Sequence, residues 1–128
     1  VRRLDLDVSD LRSSILEEHE FLPAPGQGIL GIQTRAGDSA IVDIVSKLDD
    51  PNARLQMELE RGLMARFEGG CQLPLGAYSH IDGKNLNLTA VLGVRKDNRW
   101  VGLRRASSSG TDPKAVVDDV FRQLGSDS

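Results

Sequence analysis

Residues 51–76, PNARLQMELERGLMARFEGGCQLPLG, decide how this chain is read. Asp50 precedes them as a side-chain N-cap, and Pro51 takes the first helical position, where a missing N–H costs nothing. Leu55, Leu59, Leu63 and Phe67 then recur every four residues, which predicts one apolar stripe along a helix. Arg54 and Arg61, seven apart, share a different face. Gly69 and Gly70 stop the helix, because glycine takes a left-handed C-cap without strain. The only cysteine, Cys71, follows directly, and Pro74 fixes the exit from its loop.

Downstream the period changes from helical to two. Residues 77–81 read as a short strand, and Asp82-Gly83-Lys84 as a turn. Over 85–93, Leu86, Leu88, Ala90 and Leu92 point one way, Asn87 and Thr89 the other. A turn at 96–98 leads to a third strand over 99–106 and a polar loop at 107–110. Asp112-Pro113 repeats the cap-plus-proline signal, and Val116, Val117, Val120, Phe121 and Leu124 mark a last helix closed by Gly125. The expected fold class is α+β: a three-stranded antiparallel sheet with helices packed on one face.

Upstream the pattern is looser. Residues 8–16 carry Leu11, Ile15 and Leu16 at a spacing that predicts a short helix. Residues 21–31, FLPAPGQGILG, hold two prolines and three glycines and cannot be a helix interior. They read as a hinge that delivers the chain into a strand over 29–34, ended by Arg35. The glycines would let the backbone amides of Gln27 and Gly28 approach a ligand, although a plain structural turn has the same composition. Asp38 or Ser39 caps a helix to about residue 48, with Ile41, Ile44, Val45 and Leu48 on its buried face.

Composition narrows the class. With 128 residues, 39% hydrophobic and 27% charged, the chain has the apolar content of one globular domain, or one domain with pieces of a neighbour. A net charge of −3 gives no general electrostatic reason to bind nucleic acid or an anionic membrane. No apolar run approaches the roughly 20 residues that span a bilayer. A lone cysteine makes no internal disulfide, so a reducing cytoplasm is the expected compartment. His19 lies in a Glu-Glu-His-Glu run without the His-Glu-x-x-His spacing, and His80 has no partner histidine, so no metal site is expected. The chain opens at Val1 in a basic stretch and is expected to be a piece of a longer protein.

Three roles are open to Cys71. It could be a small buried hydrophobe, although a Gly-Gly-Cys loop outside the apolar stripe argues against that. It could be a reactive thiolate for redox sensing or acyl transfer. Here the preceding helix C-terminus and Glu68 both disfavour a thiolate, and Arg66 offsets them only partly. The third role is a thiol alkylated once by a strong electrophile and kept as an anchor.

At these residues the chain resembles a known family. Glu60-Arg61, followed by Glu68-Gly69-Gly70-Cys71-Gln72-Leu73-Pro74-Leu75-Gly76, is similar to the cofactor-attachment signature of the porphobilinogen deaminase (hydroxymethylbilane synthase) family. Leu22-Pro23-Ala24-Pro25-Gly26-Gln27-Gly28, with Gly31-Ile32 and Arg35, resembles that family's second signature, and Arg2-Arg3-Leu4 the segment before it. The resemblance implies a transferase of tetrapyrrole (porphyrin and heme) biosynthesis. Such an enzyme adds porphobilinogen units, with loss of ammonia, to a dipyrromethane cofactor, then releases hydroxymethylbilane.

It implies that Cys71 holds the dipyrromethane through a thioether. Arg35 would contact the pyrrole carboxylates, Arg61 and Arg3 would belong to the same basic network, and Gln27 and Gly28 to the loop bordering the cofactor cleft. Forked guanidinium donors suit the acetate and propionate groups of pyrroles.

The family has three domains. The division implied here is 1–22, the tail of the second domain; 23–50, a hinge, strand and helix returning to the first; and 51–128, the cofactor-anchoring third. The proton-handling aspartate lies in the family's first domain, so no catalytic acid or base is assigned on this chain. The fragment alone is expected to be inactive, and residues 1–50 to be poorly packed or to form contacts between chains. Expected partners are porphobilinogen, the growing pyrrole chain and the remaining domains of the parent, itself expected to be a monomer. The alternative from another class is a stand-alone small-ligand or thiol-sensing α+β module with a regulatory Cys71.

Overall fold

A computed structural model describes residue 7 and residues 9–67 and 73–125. The expected helix starts where its signals require but ends at Ala65, with Arg66 as its C-cap, before the glycine pair expected to stop it. Helix α2 spans Pro51–Ala65, and the Asp50 carboxylate accepts hydrogen bonds from the amides of Asn52 (2.9 Å) and Ala53 (3.3 Å). Leu59 and Leu63 are fully buried, with Leu55 and Phe67 packed at the margin of the same core. The expected Gly69-Gly70 stop lies outside the described residues.

Three strands form one antiparallel sheet in the order β1 (Leu75–Asp82), β2 (Asn85–Lys96), β3 (Arg99–Gly110). Helix α3 (Pro113–Gly125) follows, capped by Asp112, whose carboxylate accepts from the amides of Lys114 and Ala115. Register places Ala77 beside Ala90 and Ala90 beside Ala106 in one row, with Leu88 and Leu86 in the rows next to it. That face is buried against α2 and α3, as the period-two alternation requires. The rings of Phe67 and Phe121 meet edge to face at 4.8 Å and join the two helices. The fold class is α+β, with both helices on one face of the meander.

The third strand runs four residues beyond its expected end. Residues 107–110 continue the ladder, Ser107 beside Thr89 and Gly110 beside Leu86, where a polar loop was expected. Small side chains suit this position because α3 passes over it. A Cβ on Gly110 would lie 3.3 Å from Val116 Cγ2.

Upstream of α2 the structure departs from expectation in three places. Residues 9–16 form no helix, and Leu11, Ile15 and Leu16 are exposed. So short a helix is marginal in water without a surface to cover its apolar side. Residues 29–34 form no strand, since no described strand pairs with them and an isolated strand leaves its backbone groups unmatched.

Helix α1 is only Ser39–Val45, continued by a 3-10 turn over Ser46–Leu48. Asp38 caps it, accepting from the Ile41 amide at 3.2 Å. Its expected buried face is largely exposed: Ile41, Ile44 and Leu48 face solvent and Val45 is half-buried. Leu22 is the one buried residue among those described between 7 and 50.

Leu22 marks where this upstream segment meets the sheet. The Ala77 amide donates to the Pro23 carbonyl at 2.9 Å, so residues 22–23 cover part of the β1 edge. The approach is close enough to need glycine. A Cβ on Gly76 would sit 3.1 Å from both Leu22 Cβ and Leu22 O.

Candidate functional site

Residues 23–28 fold into a compact double turn. The Gln27 amide donates to the Ala24 carbonyl (3.0 Å), and Gln27 Oε1 accepts from the Ala24 amide (3.1 Å). The Ile29 amide donates to the Gly26 carbonyl at 3.2 Å. Gly26 (φ +76°) and Gly28 (φ +86°) lie in the left-handed region, which glycine enters without penalty. Gln27 and Gly28 are left exposed at the tip.

The double turn is held on α2 by Glu60, a residue named within the sequence signature but given no role there. Glu60 is only 6% exposed. Its Oε2 accepts from the Gly26 amide at 2.7 Å; its Oε1 accepts from the Ser79 amide at 2.9 Å and the Ser79 hydroxyl at 2.7 Å. One carboxylate therefore joins three elements: turn, helix and strand. Gln56, one helical turn earlier, donates to the Ser79 carbonyl at 2.9 Å. A sequence signal existed in the polar pair Gln56 and Glu60 at i and i+4, set beside the Leu55–Leu59–Leu63 stripe. Buried charge is rare, so residue type alone gives no reason to place Glu60 inside.

Arg61 follows Glu60, and its stem lies along the turn: a Cβ on Gly26 would be 3.6 Å from Arg61 Cδ. Its side chain is exposed, with no ion pair or hydrogen bond among the described residues. Arg35 is likewise exposed and unpaired among them. The structure brings Gln27, Gly28 and Arg61 to one turn–helix junction, whereas no described hydrogen bond or ion pair ties Arg35 to it. Arg3 and Cys71 lie outside the described residues.

Other arginines are engaged. Arg54 pairs with Asp49, and the hydrogen bond and charge of that carboxylate hold its guanidinium above its ordinary pKa. Arg66 pairs with Asp118 of α3. An open cleft of about 900 Å³ lies between residues 27–34, the α1 region and α2, bordered by Gln27, Gly28, Ile32, Leu48 and Met57. Arg35 and Arg61 do not line it.

On the open face of the sheet, His19 and His80 border a pocket of about 340 Å³ with Tyr78 and Arg105, which donates to the His19 carbonyl at 2.7 Å. Among the described residues no group of three or more His, Cys, Asp or Glu is placed to hold a metal ion. No described helix is long and apolar enough to cross a membrane.

Comparison with known proteins gives these residues a context. Residues 54–124 match the family profile of the porphobilinogen deaminase C-terminal domain. Residues 1–43 match the profile described as porphobilinogen deaminase, dipyromethane cofactor binding domain. The porphobilinogen deaminase of Roseiflexus sp. (strain RS-1) is 36% identical over 129 residues, an alignment spanning 98% of this chain and 41% of that protein. That of Roseiflexus castenholzii is 37% identical over 124 residues, 97% of this chain and 40% of its own length. That of Chlorobium phaeobacteroides is 42% identical over 96 residues, 75% of this chain and 31% of its own length. The chain thus spans about two-fifths of the length of the first two relatives. Two profiles of one family, matched in order over residues 1–43 and 54–124, establish that the chain belongs to the porphobilinogen deaminase family.

Proposed function

We propose that this chain is the C-terminal part of a transferase that polymerises porphobilinogen into hydroxymethylbilane. In this reading Cys71 carries the dipyrromethane, Arg35, Arg61 and Arg3 contact its carboxylates and those of the growing chain, and Gln27 and Gly28 border the cofactor cleft. The division into 1–22, 23–50 and 51–128 belongs to the same reading, as do a monomeric parent and a cytoplasmic location. The observation that carries it is the docking of the turn bearing Gln27 and Gly28 against the helix bearing Arg61.

The residues present suit a carboxylate-rich group. Arg35 and Arg61 are exposed and unengaged among the described residues, so their forked donors are free to take up carboxylates. Gln27 and Gly28 face solvent at the tip of a turn where glycine admits close approach. When bound, the dipyrromethane supplies the primer on which chain growth begins. This chain's part is to anchor that primer and neutralise its acidic side groups.

The apolar cleft fits the rest of the reading. Leu30, Ile32, Ile44 and Leu48 are each more than half exposed, as expected of surface that the remaining domains of the parent cover.

Purified residues 1–128 should form no hydroxymethylbilane from porphobilinogen, whereas the parent should. Turnover by the fragment would overturn the assignment of acid–base chemistry to the missing part. In the parent, Arg35→Leu should lower kcat/KM about ten- to a hundredfold, the effect of losing one charge-assisted hydrogen bond worth about 1.5–3 kcal/mol. Arg54→Leu, whose guanidinium is held by Asp49, should change it less than about twofold. Equal effects of the two would remove Arg35 from the site.

A further inference from the structure

A segment of prolines and glycines between two domains is ordinarily taken as the hinge itself, and residues 21–31 read that way in sequence. The contacts point elsewhere. From 22 to 26 the segment is fastened to the α2–β1 unit at three residues, Leu22, Pro23 and Gly26. Leu22 is buried against Gly76, and the Pro23 carbonyl accepts from the Ala77 amide. The Gly26 amide donates to Glu60, and the Arg61 stem lies along Gly26.

Beyond Gly28 the fastening ends. No described hydrogen bond links residues 29–37 to α2 or to the sheet, and Leu30, Gly31, Ile32 and Gln33 are exposed. A hinge is located where contacts lapse, rather than where composition is permissive.

We infer that residues 22–28 move as one body with the C-terminal module, latched by the Glu60 carboxylate, and that the hinge begins after Gly28. Glu60 is then a positioning residue. It binds the turn through Gly26 and strand β1 through Ser79. On the proposed function, whose reading this consequence rests on, Gln27 and Gly28 stay in fixed relation to the C-terminal module. The rest of the parent shifts past them as the pyrrole chain lengthens. Glu60 is suited to the task because a carboxylate has one oxygen for each partner. A glutamine would keep one acceptor oxygen and turn an N–H toward the other donor.

Hydrogen exchange of the intact parent tests this. Peptides covering 22–28 should be protected in step with β1, and peptides covering 29–37 should exchange at least tenfold faster. Glu60→Gln should accelerate exchange over 22–28 about tenfold relative to β2, with Glu60→Ala giving a larger effect.

Ser79→Ala is the control. It removes the hydroxyl donor but leaves the Ser79 amide and the Gly26 bond, so exchange over 22–28 should stay within about twofold of the unmodified protein. The inference is overturned if 22–28 exchanges as fast as 29–37 in the unmodified parent. It is also overturned if Ser79→Ala and Glu60→Gln accelerate the turn equally, since Glu60 would then act only through module stability. Exchange needs neither substrate nor cofactor. An intact-mass measurement on the same samples tests the functional reading separately: a parent without a dipyrromethane adduct would sink that reading and leave the latch standing.

Discussion

Cys71→Ser in the parent protein is expected to abolish hydroxymethylbilane formation, lowering the rate at least a thousandfold, while the fold survives. A serine hydroxyl is close in size to a thiol but is a far poorer nucleophile near neutral pH, so it should not form the covalent link that a thiol forms once. The sequence context agrees with that one-time role: the cation nearest Cys71 in sequence, Arg66, is paired with Asp118 on α3 rather than free to stabilise a thiolate. On the proposed function, such a cysteine would react once with an activated pyrrole and remain as an anchor. Turnover retained above a tenth of the unmodified rate would exclude Cys71 as the anchor. Loss of the cooperative unfolding transition would instead mark it as a structural residue.

The second large effect concerns the core formed by α2, α3 and the sheet. Leu63→Ala should destabilise the chain by about 2–5 kcal/mol, the range for truncating a fully buried leucine. Leu63 has no exposed surface and belongs to the cluster formed by α2, α3 and the inner face of the sheet. A domain of this size has only about 5–15 kcal/mol to lose, so the urea midpoint should fall by a large fraction or the variant should fail to fold. Leu30→Ala is the matched comparison: Leu30 is 82% exposed, and its truncation in this chain should shift stability by less than about 0.5 kcal/mol. Equal midpoints for the two variants would contradict the placement of the core.

The contrast between Leu63 and Leu30 also explains how far the sequence could be read. Within 51–125 each signal has its partner inside the chain. The Asp50 and Asp112 caps, the four-residue stripe and the strand alternation all reappear in the structure. What the pattern lacked there was extent. Serines at 107–109 read as a loop because nothing in their polarity reveals that the β2 ladder continues beside them. The register shift between Val94 and Arg95 has no signature in residue type either.

Upstream of Asp50 the same kinds of signal failed, for a physical reason. The strand expected over 29–34 and the buried face expected on α1 both need partners, and the described residues provide none. Ile32 and Ile44 have the right chemistry for a core, yet both lie exposed. Gln27, Gly28 and Arg61 were named from the sequence, and the structure places them exposed at one turn–helix junction. Glu60 was missed because its role comes from tertiary placement: Gly26 lies 34 residues away in sequence and Ser79 lies 19 away.

The most direct test of the central claim is the intact mass of the parent protein beside its Cys71→Ser variant, with Ehrlich's reagent as a colour test for pyrroles. The account predicts an adduct of dipyrromethane mass and a positive colour on the parent, both lost in the variant. A parent exposed to porphobilinogen that remained unmodified and colourless would contradict it.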